Sequence, residues 1–214
     1  MNFDTKYLIR WGIPGWVFLF WITLSWFLMH PDLFDKLLVN DKNLQSIILL
    51  LASVGIGVTI GYLCHQTVFA YKWTLNVKNM DFSKIKNQVE NVQWPSQNRD
   101  MYFHLEFIWQ NAIKNIKDDD QRNYITGRYR HYLSTIHGLG ALFLSQLLST
   151  IVSVLIIGWN WYFNEFSWLN LIPLIFVAIQ GFLSWLFWEN YKYFSDLLMD
   201  YQGKMLAELL KKNT

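Results

Sequence analysis

Four long stretches of the chain contain no Asp, Glu, Lys or Arg, and this pattern limits the fold more than any other feature of the sequence. They cover residues 11–29, 44–64, 138–163 and 166–188. Each stretch is close to the ~20 residues that an α-helix needs to cross ~30 Å of hydrocarbon. The sequence therefore predicts an all-α integral membrane protein with four transmembrane helices arranged as two hairpins.

The distribution of basic residues predicts how these helices are oriented. Lys and Arg are concentrated in residues 1–10, 66–137 and 189–214, whereas the short connectors within the two hairpins contain only Lys36 and Lys42. Under the positive-inside rule, the basic segments lie in the cytoplasm and the connectors face outward. The expected location is the cell inner membrane, with both termini cytoplasmic and the lipid bilayer as the surrounding partner.

Four segments follow from this topology. An N-terminal membrane hairpin covers residues 1–65 and a cytoplasmic helical insert covers residues 66–137. A C-terminal membrane hairpin covers residues 138–188, and a cytoplasmic helical tail covers residues 189–214. In the insert, Ser83 is predicted to cap a short helix over residues 83–92.

Two apolar stripes outside the predicted spans indicate a packed helical layer. A helix predicted over residues 99–116 and the C-terminal tail both have apolar residues every three or four positions, the spacing of one helix face. The candidates for partner or oligomer contacts on these stripes are Leu105, Trp109, Ile113, Leu197, Tyr201, Met205 and Leu209. The stripes can be buried in the chain's own cytoplasmic layer, against a second copy of the chain, or against a cytosolic protein, and these interpretations are compatible.

Small and polar residues recur at four-residue intervals inside the predicted spans. They are Ser53, Gly57 and Gly61 in the second span, Ser145, Gln146, Ser149 and Ser153 in the third, and Gln180 in the fourth. Small residues at this spacing let helix backbones approach closely in a membrane, where the hydrophobic effect drives no association. Tight helix packing is one interpretation, and the lining of a polar pore around an oligomer axis is the other.

One polar segment offers a candidate for catalysis. Arg130 and His137 match the R-x(4–6)-H pattern and resemble HEPN ribonucleases, in which an arginine and a histidine from two protomers converge on a phosphate. The structural alternative is a basic collar that meets lipid headgroups. Because no P-loop, nucleophile-elbow, zinc-protease or kinase motif is present, an enzyme is less expected than a non-enzyme.

Cofactors and nucleic acid are not expected. His65 and His137 could in principle ligate a haem, but no second His pair exists at the other face of the spans. Cys64, the single cysteine, is adjacent to His65 and lacks the ligand spacing of a zinc site. The net charge of +2 is too small to imply direct binding of nucleic acid.

The layout of two membrane hairpins around a helical insert resembles the small four-helix membrane subunits of bacterial anti-phage defence systems, such as the membrane subunit of Kiwa, and the four-span effectors of cyclic-nucleotide signalling systems. The Arg130–His137 spacing is also similar to that of HEPN-motif membrane accessory proteins of type VI-B CRISPR loci. The leading hypothesis is a homo-oligomeric inner-membrane protein that senses or perturbs the membrane and docks a cytosolic partner. The alternatives are a membrane-tethered ribonuclease and a polar-lined pore.

Overall fold

The computed structural model describes residues 5–30, 43–72, 82–89, 92–163 and 171–211, and the secondary structure within these residues is helical. Six helices are described: α1 (Thr5–Met29), α2 (Asn43–Ala70), α3 (Ser83–Gln88), α4 (Asn98–Lys114), α5 (Asp119–Phe163) and α6 (Ile172–Lys211). The predicted all-α class is therefore confirmed for this part of the chain. The two connectors that we expect on the outer side, residues 31–43 and 164–165, fall almost entirely outside the described residues.

Three of the described helical stretches are long and apolar enough to cross a membrane. They are Trp11–Met29 in α1 and the helices α5 and α6, each of which contains a sufficiently apolar stretch. The fourth predicted span, residues 44–64, falls within α2. The helical membrane class is therefore supported by helix length and composition.

The chain divides into two compact units, each made of two separate stretches of sequence. The bundle unit contains Met1–Val68 and Gly138–Glu189, and the insert unit contains Phe69–His137 and Asn190–Thr214. These boundaries lie within three residues of those that the charge distribution predicts.

The helix ends of the insert unit show which local signals govern its fold. Asp118 begins α5 by accepting hydrogen bonds on Oδ1 from the backbone N–H of Asp120 (2.9 Å) and Gln121 (3.3 Å), as N-terminal caps do. The predicted cap at Ser83 is wrong, because Phe82 occupies the cap position of α3 and no side-chain cap hydrogen bond forms.

The bounds of one predicted helix in the insert are correct to within a few residues, and those of another are not. Helix α4 covers Asn98–Lys114, close to the predicted 99–116. Helix α3 ends at Gln88, earlier than predicted, because the backbone at Val89 (φ −119°, ψ 77°) is no longer helical. Helix α5 continues without a break through Gly127 and Gly138, and α6 continues through the C-terminal apolar stripe.

A hydrophobic core occupies the insert unit. Its fully buried residues include Met101, Leu105 and Trp109 from α4, and Ile125 and Ile136 from α5. Leu198, Leu206 and Leu209 from α6 and Ile85 from α3 complete the same cluster. Burial of apolar side chains of this size is the main stabilising contribution for a helical unit in water.

Candidate functional site: a polar interior in the bundle unit

The interior of the bundle unit is lined by polar side chains. Ser145, Ser149 and Ser153 lie four residues apart on α5, a spacing that brings them to one face of the helix. Together with Gln146 and with Gln180 of α6, they have no exposed surface at all. The sequence identified all five residues, and the structure brings them together inside one protomer.

Hydrogen bonds among these groups connect three helices. The Gln180 side-chain amide and the Ser153 hydroxyl are 3.2–3.3 Å apart, and Ser153 also accepts a 2.7 Å hydrogen bond from the hydroxyl of Ser25 on α1. About two turns earlier in α5, Ser145 donates to the backbone carbonyl of Pro14 on α1. Because buried polar groups need partners in an apolar surrounding, these contacts fix how α1, α5 and α6 fit together.

The backbone carbonyl groups of two glutamines act as further acceptors. Ser149 and Thr150 each donate to the carbonyl of Gln146 at 2.8 Å, and Ser184 donates to that of Gln180 at 3.0 Å. The Gln146 side-chain nitrogen reaches the Gln180 carbonyl at 3.5 Å. The side-chain oxygen of Gln146 is buried without a hydrogen-bond partner among the described residues.

Glycines form the contact between α1 and α2. A Cβ atom built on Gly15 would collide with the carbonyl of Gly57, and one built on Gly61 would collide with the carbonyl of Trp11. A Cβ on Gly57 would meet the indole ring of Trp16. These glycines are therefore required for the close approach of two backbones, the role that small residues play in membrane helix pairs.

Ser53, which the same spacing selects, has a different environment. It is exposed and lines an apolar cleft of about 760 Å³ between α1 and α2, together with Trp16 and Phe20. Of these three residues at four-residue spacing, Gly57 and Gly61 therefore lie in the contact between α1 and α2, and Ser53 lies outside it.

The burial of the polar residues indicates what they can do. Pore-lining side chains face water, whereas Ser145, Gln146, Ser149, Ser153 and Gln180 are covered by the protomer's own helices. Ser145, Ser153, Gln146 and Gln180 make hydrogen bonds between helices, whereas Ser149 donates to a carbonyl of its own helix. Within the described residues, no group of three His, Cys, Asp or Glu side chains could hold a metal ion.

The predicted contact residues of the insert unit lie in its own core. Leu105, Trp109 and Leu209 are fully buried. Ile113, Leu197, Tyr201 and Met205 are half-buried and pack against the same cluster. The rings of Tyr129 and Tyr201 lie 5.2 Å and 6.2 Å from that of Trp109. These side chains therefore take part in the packing of the insert unit itself, and their predicted role in partner or oligomer contacts stays a prediction.

One carboxylate is held at the edge of this aromatic core. The Tyr129 hydroxyl donates a 3.0 Å hydrogen bond to Glu106, and Gln110 donates to the other carboxylate oxygen at 2.9 Å. Burial, followed by the charge of Glu106 and the hydrogen bond to it, raises the pKa of Tyr129 above its usual range. Burial and the same charge raise the pKa of Tyr102 to about 12. Glu106 therefore holds the Tyr129 hydroxyl in place at the edge of this core.

Two exposed phenylalanines were missed by sequence analysis. Phe103 and Phe107 lie one turn apart on α4 and are 64% and 65% exposed. The face bearing Leu105 and Trp109 on the same helix is buried. The available signal was the i, i+4 spacing of two aromatics outside the predicted stripe, which places them together on a second helix face.

The candidate catalytic pair does not form a site in one protomer. Arg130 is exposed, whereas His137 is half-buried with its ring 5.7 Å from that of Phe69. Seven residues of helix separate the two positions by ~10 Å along the axis. A neighbouring arginine, Arg128, contacts a tyrosine of the same helix: its Nε donates a hydrogen bond to the Tyr132 hydroxyl at 3.1 Å.

Comparison of the chain with protein-family models, with curated proteins and with solved structures finds no match.

Proposed function

We propose that this protein is a four-span inner-membrane anchor, with both termini in the cytoplasm, whose insert unit docks a cytosolic protein. The observation that carries the proposal is the exposed pair Phe103 and Phe107 on a helix whose opposite face is buried. Burying a phenylalanine side chain contributes about 1.5–3 kcal/mol. Two of them on one helix face are therefore a strong potential contact for a partner.

The form of this surface suggests how a partner would bind. Aromatic side chains one turn apart are typical anchors for a helix lying in an apolar groove, and aromatic residues dominate the energetics of many interfaces. The surrounding exposed residues of α4, including Asp100, Gln110 and Lys114, would form a polar rim. The partner that fits is a cytosolic protein with an apolar groove.

The polar interior of the bundle unit supports an anchoring role over a pore. Ser25, Ser153 and Gln180 are used there for hydrogen bonds between helices of the same protomer. An anchor requires a bundle of fixed geometry, and interhelical hydrogen bonds provide that in lipid.

The proposal also covers the oligomeric state of the protein and its biological setting. We propose a homo-oligomer, because several copies would present several Phe103–Phe107 pairs and increase apparent affinity through avidity. The layout shared with membrane subunits of anti-phage systems makes defence against phage the setting that we propose.

Site-specific photocrosslinking tests the docking surface. A photoreactive residue in place of Phe107, in cells that also carry the neighbouring genes, is expected to crosslink to a cytosolic protein. The matched control is the same residue in place of Asn123, which is exposed on α5 and belongs neither to the Phe103–Phe107 pair nor to its polar rim. Crosslinks from position 107 that reach only lipid, or only another copy of this chain, would remove the docking proposal.

A double variant links docking to function. Phe103→Ser combined with Phe107→Ser is expected to abolish the crosslinked complex and the protection against phage, while the amount of protein in the membrane stays unchanged. Protection that survives loss of the complex would separate the defence role from docking.

The proposed topology has its own test. In a Cys64→Ser background, a cysteine at position 98 should resist membrane-impermeant thiol reagents in intact cells, and a cysteine at position 40 should react. Labelling at position 98 from outside would reverse the orientation of the whole chain.

A further inference from the structure

A second concave surface lies in the bundle unit, between the C-terminal end of α1 and the C-terminal part of the span in α5. It encloses about 470 Å³, within the range of small-molecule sites. The part of it farther from the helix ends is lined by Val152, Leu155 and Ile156. Toward the ends of the helices, the lining changes to aromatic and polar side chains.

The dimensions of this crevice match one leaflet of a bilayer. Val152 and Phe163, the extreme lining residues on α5, are eleven positions apart, which corresponds to ~16 Å at 1.5 Å per residue. Half of a ~30 Å hydrocarbon core is ~15 Å. Since α5 and Trp11–Met29 of α1 both qualify as membrane spans, the apolar part faces acyl chains and the aromatic part faces the headgroup region.

Two ring pairs form the aromatic rim. The rings of Trp26 and His30 are stacked with centroids 4.5 Å apart, and those of Trp159 and Phe163 are 4.8 Å apart. Trp159 is 71% exposed in the protomer. Tryptophan is favoured at this depth of the membrane, and aromatic faces attract ammonium groups.

One polar contact fixes the rim. Asn160 of α5 donates from Nδ2 to the carbonyl of Met29 at 3.2 Å, at the C-terminal end of α1. Carbonyl groups at helix C-termini lack partners within the helix and need such donors. This contact connects α1 to α5 beside the crevice, so both of its walls are held in position.

We propose that the crevice binds one phospholipid with an ammonium headgroup, of the phosphatidylethanolamine class. One acyl chain lies along Val152, Leu155 and Ile156, and the ammonium group contacts the faces of Trp26 and Trp159. A lipid is the occupant because the crevice spans one leaflet and changes from apolar to aromatic in the same direction as the bilayer. The proposal depends on the membrane placement of the bundle unit and is independent of docking by Phe103 and Phe107.

The test uses phospholipids that carry a photoreactive group on the acyl chain, reconstituted with the full-length protein. Phosphatidylethanolamine and phosphatidylglycerol probes with identical chains are compared, and crosslinked peptides are mapped by mass spectrometry. We expect the ethanolamine probe to crosslink to the α5 peptide that contains Leu155. Leu155→Trp fills the crevice and should reduce this crosslinking about tenfold, the change produced by a loss of ~1.4 kcal/mol.

Val154→Trp is the matched control. Val154 precedes Leu155 and is also exposed, but it does not line the crevice. If Val154→Trp lowers crosslinking as much as Leu155→Trp does, the probe is reporting general lipid contact and the site does not exist. Both substitutions are at exposed positions, and size-exclusion profiles show whether each variant has kept its fold.

A third variant tests the headgroup. Trp159→Leu keeps an apolar side chain but removes the indole face, and it should lower the preference for the ethanolamine probe about threefold, in line with the modest energy of a cation–π contact. Equal crosslinking by the two probes in the unaltered protein would overturn the assignment to an ammonium headgroup.

Discussion

The two units of this protein have opposite interiors. In the bundle unit, Ser149 and Gln180 are fully buried, whereas Leu155 and Ile175 are more than half exposed. In the insert unit, Trp109 and Leu206 are fully buried, and Lys117 is exposed. Large apolar side chains fill the interior of the insert unit, whereas polar side chains occupy much of the interior of the bundle unit.

This difference shows which solvent each unit is built for. In water, burial of apolar surface drives folding, so the insert unit needs Trp109 and its neighbours inside. In lipid, an apolar exterior costs nothing, and helices associate through close backbone contacts and hydrogen bonds. The bundle unit therefore has glycines and polar side chains at its contacts. Substitutions that act differently in the two units test this interpretation.

The largest effect is expected for Gly61→Leu. The new side chain would collide with the backbone carbonyl of Trp11, which a change of rotamer cannot relieve. Because this contact lies within one protomer, we expect loss of the folded α1–α2 pair and aggregation of most of the purified protein on size exclusion. Gly55→Leu is the matched control on the same helix, since no atom lies within 4 Å of a Cβ at Gly55. Normal elution of Gly61→Leu would show that the helices do not approach at this point.

The next effect is expected for Trp109→Ala in the insert unit. Trp109 is 1% exposed, and truncation of a buried aromatic side chain costs about 3–5 kcal/mol. Phe107→Ala removes an aromatic ring from the same helix, but an exposed one, and should change stability by no more than about 0.5 kcal/mol. Hydrogen exchange of the α4 amide groups measures both. Similar protection in the two variants would mean that the insert unit lacks the apolar core described here.

The sequence predicts which segments are suited to lipid and which helix face of the insert is buried. Long stretches without charge indicate the spans, and three-to-four-residue spacing indicates which side of α4 is buried. Spacing does not indicate what a face contacts. It selected Gly57 and Gly61 without showing that α1 of the same protomer is their partner, and it selected Ser53, which is exposed.

The other differences between the predictions and the structure also have local causes. Phe103 and Phe107 escaped prediction because α4 has two aromatic-bearing faces and only tertiary packing decides which one is covered. Ser83 is a suitable residue for a cap, but the chain enters α3 through Phe82 and no side-chain cap hydrogen bond forms. The aromatic rim of the crevice depends on α1 and α5 meeting near their ends, which no pattern in either segment specifies.

A smaller effect is expected from pH, through Lys72 of the insert unit. Its ammonium group lies 5.2 Å from the centre of the Tyr191 ring and 3.4 Å from the Ser195 hydroxyl. Burial lowers the pKa of Lys72 from 10.5 to about 8. Between pH 8 and pH 10, the unfolded chain therefore binds more protons than the folded one, and stability rises with pH. The expected increase is about 2 kcal/mol.

Lys72→Met should remove this pH dependence, whereas Lys117→Met, at an exposed position, should keep it. Thermal unfolding in detergent from pH 8 to pH 10 is the measurement. The range ends at pH 10, the ordinary pKa of tyrosine. Burial raises the pKa of Tyr191 to about 12 in the folded chain. Above pH 10 the same tyrosine therefore ionises first in the unfolded chain, and stability falls. An unaltered slope in Lys72→Met would assign the pH dependence to another group.

The smallest effects are expected in the polar interior of the bundle unit. Gln180→Met keeps the length of the side chain but removes the amide that contacts Ser153 at 3.2–3.3 Å. Interhelical hydrogen bonds in membranes contribute about 0.6 kcal/mol on average and about 1.7 kcal/mol at most, and we expect a loss within that range. Ser149→Ala should cost less, because its hydroxyl donates to a carbonyl of its own helix, that of Gln146. Reversible unfolding in mixed micelles compares the two variants. A loss of 3–5 kcal/mol for Gln180→Met, as large as that expected for Trp109→Ala, would mean that the interior of the bundle unit follows the energetics of a core in water, and the contrast between the units would fail.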